Sequence, residues 1–210
     1  MKNYHWLLDA GHGGTNAKGH YTTAPNKMFT FPDGVVFYEG RNNREITKCL
    51  AAMLIAANLK FTFINDPVHD TPLQERVARA NKVFTEDKRC IYLSIHSDAM
   101  PPASSGKGSG SAVYTTKGQT GSDTVADIFA EVYKRELSQF RFRENRSDGD
   151  ADQEENFYVL RQTHCPALLV ENLFFDNRPE AEFLASDEGQ LKIATTLFHA
   201  ILETEKRQPL

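Results

Sequence analysis

The sequence predicts an α/β protein, a largely parallel or mixed sheet sandwiched between helices. Two observations predict it. Short apolar runs of strand length alternate with longer stretches whose apolar residues recur every three or four positions. Several of those runs stop at glycine, histidine or a carboxylate, as buried strands do on entering a loop. With 210 residues, 40% hydrophobic and 25% charged, the chain is long enough to bury one large core.

The elements follow in order. Residues 4–9 read as a buried strand, stopped by Asp9-Ala10-Gly11-His12-Gly13-Gly14. Residues 28–31 and 35–38 flank Pro32-Asp33-Gly34 and predict a hairpin inside a polar insertion spanning 15–38. Ile46, Leu50, Met53, Leu54 and Ala57 mark a helix over about 43–58. Residues 59–64 read as a strand. Thr71 is the expected N-cap of the next helix, with Pro72 at its first position and Leu73, Val77, Ala80 and Phe84 as its stripe. Residues 90–95 form a strand that runs into His96-Ser97-Asp98, and 101–111 a Pro/Gly/Ser-rich loop. Residues 111–115 are a strand, and Val125, Phe129, Val132, Tyr133 and Leu137 a helix.

Arg141, Arg143 and Arg146, then Asp148, Asp150, Asp152, Glu154 and Glu155, make 141–155 read as a solvated loop. Residues 157–160 and 167–170 are expected to be strands. From Phe183 to near Glu205 the pattern predicts one helix. No repeat or internal boundary is visible, so residues 1–210 are expected to form a single domain.

Composition excludes several classes. Against 24 Lys and Arg stand 28 Asp and Glu, a net charge of −4, which argues against nucleic acid as a partner. The same charge makes general electrostatic attraction to an anionic surface a poor source of binding. No run approaches the ~18 apolar residues of a membrane span. The first apolar run ends at Asp9, too short for a signal peptide, so the chain is expected to be made in the cytoplasm without a secretion route of its own. Cys49, Cys90 and Cys165 form no CxxC pair, which gives neither a disulfide framework nor a thiolate metal site.

The chemistry sits at strand ends. His12 follows the first strand, His96 a later one, and Glu171 ends the 167–170 strand. Ligands of open α/β sheets gather at the carboxyl ends of strands, so three strands deliver His, His and Glu to one edge. Two neutral imidazoles and a carboxylate make a catalytic zinc set with a fourth position open to water. A further carboxylate is expected from another loop. Glu39 is the best candidate on spacing, and Glu45 is the runner-up. Asp9 is a candidate partner for a ligand imidazole. His5 reads as structural, His20 and His164 as weak substrate contacts, and His69 and His199 as surface positions. Cys165 lacks the partners of a nucleophile.

These residues resemble a known family. Asp9-Ala-Gly-His12-Gly-Gly, Glu39-Gly-Arg-Asn-Asn43-Arg, Ser94-Ile-His96-Ser-Asp98-Ala and Pro166-Ala-Leu-Leu-Val-Glu171 are similar to the signatures of zinc-dependent N-acetylmuramoyl-L-alanine amidases of the amidase_3 type. That family includes autolysins and phage endolysins. Leu73-Gln-Glu-Arg76 to Asn81, Tyr158 to Thr163 and Gly110 to Tyr114 also fit, and the likeness runs over about residues 4–203. It implies a three-layer, phosphorylase/hydrolase-like sandwich with about six mostly parallel strands and helices on both faces. It implies zinc on His12, Glu39 and His96, with Glu171 as the catalytic residue. The implied reaction is hydrolysis of the amide between N-acetylmuramic acid and L-alanine in peptidoglycan, in the wall or periplasm, as in phage or prophage lysis. A zinc carboxypeptidase on stem peptides and an inactive wall-binding module are the alternatives. The chain departs from the family in a longer segment between His12 and Glu39, in Asp98, and after Glu171, where Asn172-Leu173-Phe174-Phe175-Asp176-Asn177 stands for the customary Leu-Gly-Phe-x-Ser-Asn. The insertion joins two expected ligands, so it is expected to wall the substrate groove.

Overall fold

Period-two alternation divides the first strand between two cores. The computed structural model describes residues 3–147 and 149–210. In strand β1 (His5–Ala10) every residue is buried. Trp6 and Leu8 face one apolar cluster and Leu7 the other. A strand covered on both faces belongs to a sheet with helices on both sides.

The elements after β1 are the hairpin β2 (Met28–Thr30) and β3 (Val36–Tyr38), helix α1 (Glu39–Ala56), β4 (Lys60–Phe63), α2 (Leu73–Glu86) and β5 (Cys90–Asp98). Then come β6 (Ala112–Thr115), α3 (Gly121–Glu136), β7 (Gln153–Glu154), α4 (Tyr158–Gln162), β8 (Ala167–Phe174), α5 (Arg178–Ala185) and α6 (Asp187–Arg207). Six strands form one sheet in the order β4-β1-β5-β8-β6-β7. β4, β1, β5 and β8 are parallel to one another, and β6 runs antiparallel to β8. The predicted α/β sandwich is therefore the observed fold. No helix among the described residues is long and apolar enough to cross a membrane.

Helices α1, α3 and α6 cover one face, where Leu50, Leu54, Phe129 and Leu197 are fully buried against Trp6, Leu93 and Val170. Burying each such side chain contributes roughly 1.5–3 kcal/mol. Helices α2 and α4 cover the other face through Val77, Ala80, Val159 and Leu160, packed on Leu7, Tyr92 and Leu169.

Five local expectations are corrected. Helix α1 starts four residues before the predicted Asn43, because its first turns bury polar Glu39, Asn42, Asn43 and Arg44, which carry no apolar periodicity. Thr71 does not cap α2: its hydroxyl accepts from the Asp66 N–H and its carbonyl accepts from Arg76. Residues 158–162 form helix α4 rather than a strand, since a run this short fits either period. The C-terminal helix is two, broken at Ser186, whose hydroxyl caps α6 by accepting from the Gly189 N–H at 2.9 Å.

The fifth correction concerns the charged run. Asp148 lies outside the described residues, but Asp150 and Asp152 are buried, and β7 pairs with the edge of the sheet beside β6. Burial first, and then Asp150, push the Asp152 carboxyl up to about 7. An unfolded aspartate titrates near ~3.9. Between about pH 4 and pH 7 the folded chain therefore holds a proton that the unfolded chain has released, and stability falls as pH rises through that window. In buffer without added divalent cations, Asp152→Asn should match the wild-type Tm near the acid end of that window and exceed it at pH 8. A lower Tm for the variant at pH 8 would contradict this.

Candidate active site

The loop after β1 brings His12 back over the carboxyl end of the sheet. His12 adopts a left-handed backbone (φ 63°), uncommon for a residue with a side chain. Gly11 makes room for the next partner: a Cβ there would meet the His96 ring at 2.2 Å. Gly40 lies so close to Gly13 that a Cβ would meet its carbonyl oxygen at 2.1 Å, so α1 can enter beside the loop only with glycine at that position. Glu39, the first residue of α1, then points its carboxylate at both imidazoles.

His12 Nε2 lies 3.2 Å, and His96 Nδ1 3.1 Å, from the same Glu39 oxygen. The two rings stand nearly perpendicular at 86°. One ligand atom from each of the three residues lies within 4.8 Å of the others, an arrangement that could hold a metal ion. Glu39 is 1% exposed, and its second oxygen and His12 Nε2 have no hydrogen-bond partner although buried. Orphaned buried polar atoms of this kind need a partner, and a metal ion fits nitrogen and carboxylate donors together. Burial works to raise the Glu39 carboxyl, but His12 and then His96 outweigh it and hold it well below the usual range. Burial lowers the His96 imidazole. Ionised carboxylate and neutral imidazole are the forms that ligate metal.

Glu171 is the cross-strand partner of His96 in the β5–β8 ladder, and so shares its face of the sheet. It lines a cavity of about 290 Å³ together with His12 and His96. Phe157, Tyr158 and Val159 form an apolar wall of that cavity, and Lys27 is the residue of the 15–38 insertion that reaches it. Burial, then Glu39 and Asp98, raise the Glu171 carboxyl well above its ordinary value, and one of its oxygens is buried without a partner.

The Amidase_3 family, described as N-acetylmuramoyl-L-alanine amidase, matches residues 7–203. The chain belongs to the Amidase_3 family. That family is generally metal-dependent. The chain is 28% identical over 192 residues to the endolysin of Bacillus phage SPP1, covering 89% of this chain and 60% of that protein. It is 27% identical over 139 residues to the germination-specific N-acetylmuramoyl-L-alanine amidase of Bacillus subtilis, covering 65% of this chain and 53% of that protein. The chain thus spans little more than half the length of these curated relatives. The crystal structure of an N-acetylmuramoyl-L-alanine amidase from Clostridium difficile 630 superposes with a TM-score of 0.75 at 23% identity, covering 97% of each chain, which shows a shared fold.

Around this Amidase_3 site the other sequence candidates separate. Glu45 lies on the surface and pairs with Lys48 at 2.7 Å, away from the imidazoles. His5 bonds Thr62, His199 bonds Glu136, and His20 and His164 are exposed. Burial pushes the Cys165 thiol up to about 12, which leaves it protonated and inert.

Asp9 does not hydrogen-bond a histidine. Its carboxylate accepts from Arg76, Tyr92 and Ser94 beneath the loop. Arg76 also donates to the Ala10 carbonyl at 3.1 Å and the His12 carbonyl at 3.2 Å, so α2 clamps the loop by its backbone. Asn43 donates to Glu39 at 3.3 Å, and Asn172 donates to the His96 carbonyl at 2.9 Å. Sequence reasoning assigned Arg76, Asn43 and Asn172 no role. The one signal was position: an arginine on the buried stripe of α2, and amides one helical turn or one residue from a glutamate.

The departures after Glu171 have a structural account. Leu173 has φ 58°, the left-handed region where glycine is customary, and its side chain is fully buried in the core. The ladder slips there between His96 and Asp98. Asp98 pairs with Arg143 at 2.8 Å, and that guanidinium lies 4.6 Å from the Phe174 ring centre.

Proposed function

We propose that this chain is the catalytic domain of a zinc-dependent peptidoglycan hydrolase. It cleaves the amide between the lactyl group of N-acetylmuramic acid and L-alanine of the stem peptide. The observation that carries the reading is the convergence of His12, Glu39 and His96 at a cavity that also holds Glu171, in a chain of the Amidase_3 family. In this reading His12, Glu39 and His96 hold zinc, and residues 1–210 act as one domain.

Zinc bound there supplies a Lewis acid for the carbonyl and lowers the pKa of bound water toward ~7. Glu171 accepts a proton from the attacking water and returns it to the departing alanine amine, which leaves poorly as an anion. The raised Glu171 carboxyl suits a group that must carry that proton between the two steps. Arg76 and Asn172 hold the backbone of the two histidines by their carbonyls, keeping the ligand set in register with Glu171. Phe157, Tyr158 and Val159 offer an apolar wall to the sugar and lactyl groups.

The endolysin among the relatives supports a place at the cell wall, in phage or prophage lysis, for this chain too. Dialysis against a chelator should abolish release of free stem peptides from purified sacculi, and stoichiometric zinc should restore it. Undiminished hydrolysis by metal-free protein would overturn the metal assignment.

A further inference from the structure

We propose that Asp150 and Asp152 form a binding site for a divalent cation of the calcium class, which fastens the edge strand β7 to the sheet. Both carboxylates are more than nine-tenths buried, at 7% and 2% exposure. Each keeps one buried oxygen, Oδ1, with no hydrogen-bond partner, and Asp150 adds to burial in raising the Asp152 carboxyl. Two neighbouring buried carboxylates cannot both stay ionised unless something positive lies between them. Neither a lysine nor an arginine donates to either carboxylate among the described residues.

The surroundings are oxygen-rich. The Thr115 hydroxyl donates to Asp152 Oδ2, and the Gln119 amide lies 3.3 Å from Asp150 Oδ2 and can turn its own oxygen inward. Asp127 accepts from the Ala151 N–H at 3.0 Å, and Asp123 is a further acid acting on the Asp152 carboxyl. Asp123 is engaged by Thr120 at the start of α3. Oxygen donors without imidazole or thiolate select a hard cation such as calcium over zinc. Two carboxylates, a hydroxyl, an amide oxygen and waters can make up its six to eight ligands.

The site is separate from the candidate active site. β6 runs antiparallel to β8 with Ala112 opposite Glu171, so Thr115, three residues on, lies about 10 Å of strand away toward the opposite end of the sheet. Ahead of the segment the cation fastens, Arg143 pairs with Asp98, and both charges act on Glu171.

Thermal unfolding of the zinc-loaded protein at pH 8 tests this. Adding about 5 mM CaCl2 should raise Tm by about 3–6 °C, as expected for a site of roughly 0.1–1 mM affinity in a chain of this size. Asp150→Asn and Asp152→Asn should abolish the rise while leaving folded protein. Calorimetric titration with CaCl2 should show one site in wild type and none in the double variant. No Tm shift and no heat in wild type would overturn the proposal, as would an equal shift in both variants. A pair that only shares a proton gives the first of these results, with Asp152→Asn more stable at pH 8 whether or not calcium is present.

Discussion

Replacing Glu171 with glutamine is expected to lower kcat by about 10²–10⁴-fold while leaving the bound metal and the fold in place. Glutamine keeps the shape of the side chain and the β5–β8 register opposite His96, but it cannot accept a proton. Glu171 is not among the three residues that converge on one another, so metal stoichiometry should stay unchanged. Removing a buried carboxylate that faces Glu39 and Asp98 also relieves repulsion, so Tm should hold or rise. The loss should fall on kcat rather than KM, because the proton transfer belongs to the transition state. A wild-type rate in this variant would remove Glu171 from the chemistry.

The second large effect is on the metal itself. His12→Ala and His96→Ala are each expected to lose both metal and hydrolysis. His96 is the more enclosed of the two, with its ring packed against Gly11 and its Nδ1 on Glu39. Loss of an outer partner typically lowers metal affinity or activity by about 10–100-fold, and loss of a ligand should exceed that. The readout is bound zinc per chain after gel filtration, beside activity on sacculi. Unchanged stoichiometry in either variant would take that histidine out of the site. Glu45→Ala serves as the internal comparison, since Glu45 sits on the surface with Lys48 and should change neither quantity.

Most of the sheet was legible because buried parallel strands are written as short apolar runs. The run at 90–95 marked β5 in this way, yet the strand continues through His96, Ser97 and Asp98, where polar residues replace apolar ones. Helix α1 shows the same effect at its start. Its apolar stripe begins only at Ile46, while the first turn is made of Glu39, Asn42 and Asn43, buried for their polar contacts. That turn is also why spacing alone left Glu39 and Glu45 open: both lie near the helix start, but only the first faces the imidazoles.

Other features depend on tertiary context that periodicity does not carry. Val159 and Leu160 bury equally well from a short helix or a strand, and α4 takes them onto the Leu7–Tyr92 face. Asp9 ends the first strand as a polar residue should, but its partners lie 67 and 83 residues away, at Arg76 and Tyr92. The acidic run at 148–155 reads as solvated because charge usually is, whereas pairing of β7 with β6 draws Asp150 and Asp152 inside.

Product analysis tests the proposed reaction most directly. Purified peptidoglycan digested with the zinc-loaded protein, with and without chelator, would be examined by mass spectrometry for its new termini. The expected products are intact glycan strands and stem peptides with free L-alanine amino termini, appearing only when metal is present. Free D-alanine released from stems still joined to muramic acid would contradict the reading and assign the site to a carboxypeptidase.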